Sequence, residues 1–174
     1  YMDRARGHQT RSTRAACDFR NGVLLAIAVA LPKRARALSV LEDGHTLTVL
    51  DARRVHVSIS ARHLKLPQAD KSGPAFEAVF TNPGLASAVL EYLRDFRPMF
   101  DGGALLFPSS RAPGQSLSEN RLGQIVGDLT EARFGVRISI HRLRDNVATE
   151  CAESLPGGAR LAAPLLGHTS AATT

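Results

Sequence analysis

One stretch limits what this chain can fold into more than any other: residues 23–31, Val-Leu-Leu-Ala-Ile-Ala-Val-Ala-Leu, are apolar without exception, and Pro32 ends them. A membrane span needs about 20 such residues. A secretory leader would need a small-residue cleavage site, and none stands before Lys33-Arg34-Ala35-Arg36. The run is therefore expected to be a helix covered by other elements, at the centre of a core.

The rest of the chain can supply that cover. Its 174 residues suit one main unit, and 44% apolar with 22% charged residues is the balance of a folded chain. The net charge of +6 comes almost entirely from arginine, since only three of the 22 basic residues are lysines. With a pI near 10.1, such a surface favours a polyanion, nucleic acid first. Cys17 and Cys151 form no CxxC pair, which argues against a disulfide framework or a zinc site and suits a reducing, cytoplasmic setting.

Residues 1–18 are polar and arginine-rich and read as a tail segment, with the main unit spanning 19–174. A short helix is expected over Arg34 to Leu41, followed by an Asp43-Gly44 turn. Leu47 and Val49, then Val55, Val57 and Ile59, then Leu64 and Leu66 recur at a spacing near two, as half-buried antiparallel strands do. Lys71-Ser72-Gly73-Pro74 is a hairpin tip, with a strand over Phe76 to Phe80 leaving it. Leu85, Val89, Leu90, Leu93 and Phe96 form a helical stripe closed by Pro98. Ser118 is an N-cap for a helix toward Phe134, and two more helices are expected, His141 to Ser154 and Gly158 to Leu166. Helices, a small antiparallel sheet and helices again make an α+β fold.

The candidate chemistry lies in two short motifs. His141 and Arg144 stand three positions apart on one helical face, where both can reach one anion. Leu166-Gly167-His168, followed by Thr169 and Ser170, places a second histidine past a helix end about two dozen residues later. Together, in this order, the motifs resemble the second and third signature boxes of the tyrosine recombinases of the phage-integrase type. The helix ending in Pro32-Lys33-Arg34-Ala35-Arg36 resembles the family's first arginine box, with Arg34 in the place of the catalytic arginine and Arg36 as the alternative. Lys71 sits where the family keeps its hairpin lysine.

That resemblance implies a mainly helical recombinase catalytic domain that cleaves and rejoins double-stranded DNA through a 3′-phosphotyrosyl intermediate, without cofactor or metal. It implies Arg34 and Arg144 on the nonbridging phosphate oxygens, Lys71 as general acid, His141 assisting proton transfer and His168 hydrogen-bonding the phosphate. A homotetramer on two duplexes is the implied assembly, with neither a membrane nor a small-molecule substrate as partner.

The sequence departs from the family at two places. Ala37 stands where the first box has an acidic residue, and no tyrosine follows His168. Tyr1, followed by Met2-Asp3-Arg4-Ala5, looks like the family's nucleophile segment, so the tail over 1–18 is expected to be a permuted tyrosine-bearing segment with Tyr1 as nucleophile. The alternatives are a decayed integrase remnant that binds DNA without cutting it, and a type IB topoisomerase-like enzyme built from nearly the same residues.

Overall fold

In the computed structural model, residues 1–7, 12–64 and 76–154 are described, apart from the side chain of Cys151. Helix α2, Thr13–Ala30, is the axis around which the other elements pack. It stops where expected, just ahead of Pro32, but starts six residues before Phe19. The reason is local: Ser12 Oγ accepts from Ala15 N at 3.2 Å, and the small side chains of Ala15 and Ala16 are fully buried. The arginine-rich composition concealed this turn, because Ala pairs carry little periodic signal. Along α2, Phe19, Val23, Leu24 and Ile27 are buried, while Val29 stays exposed.

Ahead of α2, helix α1 (Met2–Arg6) lies against it. Ala5 is buried, and Arg6 stacks its guanidinium over Phe19 and pairs with Glu91 at 2.6 Å. After Pro32 comes α3 (Ala35–Ser39), then a turn at Gly44, whose φ of +73° is the left-handed conformation a glycine adopts freely.

Strands β1 (Leu47–Val49), β2 (Arg54–Ile59) and β3 (Phe76–Thr81) form an antiparallel sheet in that order, with Val57 between Leu47 and Ala78. Leu47, Val55, Val57 and Ile59 turn inward, and His56 meets Glu77 on the other face. The expected strand at Leu64 is instead preceded by a 3-10 turn, Ala61–His63, which takes the chain out of the sheet's line; Leu66 lies outside the described residues.

Helix α4 (Pro83–Glu91), capped by Asn82, widens into a π-helical turn over Tyr92–Phe96. That turn brings Phe96 onto Phe19 with ring centroids 4.3 Å apart and carries Tyr92 into the core. Helices α5 (Glu119–Phe134), begun by Ser118, and α6 (Ile140–Ser154), begun by Ser139, complete the packing around α2. The helix expected over Gly158 to Leu166 lies outside the described residues.

Two buried arginines fasten the long loop after the π turn. Arg97 donates to the carbonyls of Leu105, Asp101 and Gly103 and to Asp101 Oδ1, all at 2.6–2.8 Å. Arg20 donates to the carbonyl of Pro108 at 2.6 Å and to Asn21 Oδ1, and lies over the Phe100 ring. The loop over 101–108 is thereby stitched to the helices at both ends.

Candidate active site

Three cations from two distant parts of the chain meet beside the C-terminal end of α2. Pro32 ends that helix, and the chain turns at once: Lys33 N donates to Leu31 O at 2.7 Å, and Arg34 takes an extended backbone as the N-cap of α3. Its carbonyl accepts from both Ala37 N and Leu38 N, so the backbone carrying the Arg34 side chain is held by the helix it starts.

Arg144 comes from α6, which is pinned at its start by Ser139 Oγ accepting from Arg142 N at 3.2 Å. It is 3% exposed. Burial lowers its affinity for the proton, the Arg34 charge lowers it further, and Asp145 partly offsets both. The two arginines are 110 positions apart in sequence and feel each other's charge in space.

Lys33 joins them. It is 4% exposed, with Nζ 3.8 Å from the centroid of the Phe76 ring at the start of β3. Burial, and then the charge of Arg144, push its ammonium down to about 8. Sequence reasoning saw Lys33 only as part of the arginine box, because a lysine is a surface residue by default. The available signal was its place between Pro32 and Arg34, directly after the apolar helix.

The remaining candidates divide. His141 stands one turn before Arg144 and is exposed, with Nε2 3.8 Å from Asp145 Oδ2. Arg36 is exposed on α3, and its charge is felt at His63, whose proton affinity is lowered first by burial and then by Arg62 and Arg36. Arg34, not Arg36, is thus the arginine that faces Arg144. Ala37, where the family carries an acid, is buried in the core. Lys71 and His168, with the whole Leu-Gly-His box, lie outside the described residues.

Of the two tyrosines, Tyr92 is fully buried, donates its hydroxyl to Leu106 O at 2.9 Å, and has its phenol pushed far up by burial. It is a core residue. Tyr1 caps α1 through its carbonyl, which accepts from Ala5 N, and its side chain is 40% exposed.

A separate groove of about 930 Å³ opens beyond the far end of α3, between Ser39, Thr46, Ser60, His63 and Asn120; none of the three cations lines it.

A helical core with a small three-stranded antiparallel sheet is consistent with the mainly helical fold of a tyrosine-recombinase catalytic domain. The solved structures agree. The chain matches the XerA recombinase with a TM-score of 0.67 at 20% identity, over 91% of this chain and 53% of that one. It matches the XerH site-specific recombinase bound to difH substrate, in a pre-cleavage complex, with a TM-score of 0.71 at 21% identity over 99% of this chain and 46% of that one. The post-cleavage complex of XerH on a palindromic difH substrate gives 0.66 at 21% identity, covering 99% and 44%. The chain has the tyrosine-recombinase catalytic-domain fold and spans about half the length of these proteins. No family model matches the sequence, and no curated protein does. Among the described residues, no helix is long and apolar enough to cross a membrane.

Proposed function

We propose that this chain is the catalytic part of a site-specific DNA recombinase, which cleaves and rejoins double-stranded DNA through a 3′-phosphotyrosyl intermediate. The observation that carries the reading is the convergence of Arg34 and Arg144, far apart in sequence, within this fold.

Two guanidinium groups facing one space can each present paired donors to the nonbridging oxygens of a phosphodiester. Charge grows on those oxygens in the pentavalent transition state, so preorganised cations stabilise it more than the ground state. The attacking tyrosine oxygen bonds to phosphorus as the bond to the 5′ oxygen breaks. Lys71 supplies the proton that the leaving oxygen needs, His141 assists loss of the tyrosine proton, and His168 hydrogen-bonds the phosphate. The phosphotyrosyl bond conserves the energy of the phosphodiester for religation to another 5′ hydroxyl, so neither ATP nor Mg²⁺ enters.

Tyr1 is the nucleophile candidate, since Tyr92 is committed to the core. A nicked suicide duplex traps the intermediate because the cleaved 5′ fragment diffuses away. An SDS-stable adduct that maps to Tyr1 and disappears in Tyr1→Phe would establish both reaction and nucleophile. DNA binding without any adduct would favour the second reading, a binding remnant, which the buried Ala37 in the acidic position supports.

A further inference from the structure

Ala37 is buried at the position where the recombinases' first box has an acidic residue, so α3 brings no carboxylate to the site. Helix α6 carries one. Asp145 stands one turn after His141 on the same helical face, with Oδ2 3.8 Å from His141 Nε2. The turn that holds His141 is itself fastened, since Ser139 Oγ accepts from Arg142 N at 3.2 Å and Ser139 O from Leu143 N at 2.8 Å. On the neighbouring α5, Asp128 and Glu131 are both taken by Arg137. Among the described residues, Asp145 is the carboxylate paired with His141. In the chain without ligand the two side chains are 70% and 52% exposed, and water screens a pair of that kind. A duplex seated on Arg144 would cover them, because His141 precedes Arg144 by one turn and Asp145 follows it directly. Catalytic hydrogen bonds are often long in a free enzyme and tighten when substrate closes the site.

We propose that Asp145 is the positioning carboxylate of this site: it accepts a hydrogen bond from His141 Nε2 in the DNA complex and so leaves His141 Nδ1 as the acceptor for the tyrosine proton. The inference rests on the recombinase reading above and deepens it. A neutral imidazole has one N–H and one lone pair, and the partner of the N–H decides which nitrogen is which. With Nε2–H held by Asp145, the ring is oriented as well as its tautomer selected, as in any histidine backed by a carboxylate. The proton that leaves the tyrosine oxygen passes to Nδ1 as the bond to phosphorus forms, and the carboxylate then faces the imidazolium. Asp145 touches no reacting atom; it acts through His141.

The test is a double-mutant cycle on the rate of adduct formation with a saturating suicide duplex, using the chain, Asp145→Asn, His141→Gln and the double variant. Duplex affinity and melting temperature are measured alongside. His141→Gln should be slower by about 10²-fold, the lower end of what a positioned proton acceptor contributes. Asp145→Asn should be slower by about 10-fold, because its amide offers the ring a donor as readily as an acceptor and no longer selects the tautomer. Its affinity for the duplex should be unchanged or higher, since a carboxylate near phosphates repels them. Melting should stay close to the parent, because both side chains are exposed. The double variant should be no slower than His141→Gln alone, as expected when one residue acts through the other. Losses that multiply in the double variant, or Asp145→Asn at the parental rate, overturn the role of Asp145 and leave the site standing. His141→Gln at the parental rate removes the task of both residues. A parent chain that forms no adduct fails the recombinase reading itself, and this role goes with it.

Discussion

Buried cations occupy two kinds of place in this molecule. Arg97 has Nε, Nη1 and Nη2 all engaged by carbonyls and a carboxylate, and Arg20 is engaged in the same way by Pro108 O and Asn21 Oδ1. Buried Lys33 instead feels the charge of Arg144, and buried Arg144 that of the half-buried Arg34. Burial alone therefore does not separate a structural cation from a functional one; the sign of the neighbours does. Where the surroundings are acceptors, the guanidinium closes a loop. Where other cations lie near, each charge makes its neighbour harder to keep protonated.

The sharpest way to break the comparison is to exchange geometry while keeping charge. Arg34→Lys and Arg144→Lys retain the positive charge but lose the planar paired donors. Each should lower the rate of adduct formation on a suicide duplex by about 10³-fold, the scale seen when a preorganised oxyanion donor is removed. Both variants should melt close to the parent chain. Near-parental rates would show that the site needs only charge, and would weaken the recombinase reading.

On the other side of the comparison, Arg97→Met leaves Asp101 and three carbonyls without their cation, at a cost of about 3–5 kcal/mol in unfolding free energy by urea titration. A change under about 1 kcal/mol would mean that the loop over 101–108 is held by its apolar residues Leu106 and Phe107 instead. Lys33→Met should move stability the opposite way. The folded-state proton affinity of Lys33 lies below its unfolded value, so the buried charge opposes folding at neutral pH, and its removal should stabilise the chain by about 1–3 kcal/mol. In the parent, this opposition is present below about pH 8 and fades as pH rises from there toward the unfolded lysine value, whereas Lys33→Met should lack that rise.

The contrast also explains what could be read in advance. Residues 23–31 announced a core helix because no other fate suits nine apolar residues before a proline, and the alternation at Val55, Val57 and Ile59 announced β2. The π turn at Tyr92–Phe96 was not legible, since a widened turn has no composition of its own; tertiary packing on Phe19 selects it. Nor was the early start of α2 at Thr13, where alanines rather than large apolar residues make the contact. Within the site, Arg34 and Arg144 were found by motif and not by physics: HxxR alone describes many solvated helix faces, and nothing in the sequence brings its arginine to Arg34. Lys33 was passed over because its burial depends on Phe76, 43 positions away in a different element. Lys71 and His168 remain expectations carried by the same motif order.

The smallest expected effect concerns the acid partner of Arg97. Asp101 accepts from Gly114 N, from Arg97 and from Gly103 N, which together hold its carboxyl down to about 2. A carboxylate depressed in the folded state contributes stability that is fully present above its unfolded value near 4 and is lost as pH falls from there toward 2. Partial solvent access limits the contribution to about 1 kcal/mol. Urea midpoints of the chain and of Asp101→Asn should therefore differ at pH 6 and converge as pH drops below about 4. A difference that persists unchanged at pH 3 would show that shape and hydrogen bonding at Asp101, rather than its charge, fasten the loop, and the rule that the sign of the neighbours identifies a structural cation would lose its clearest case.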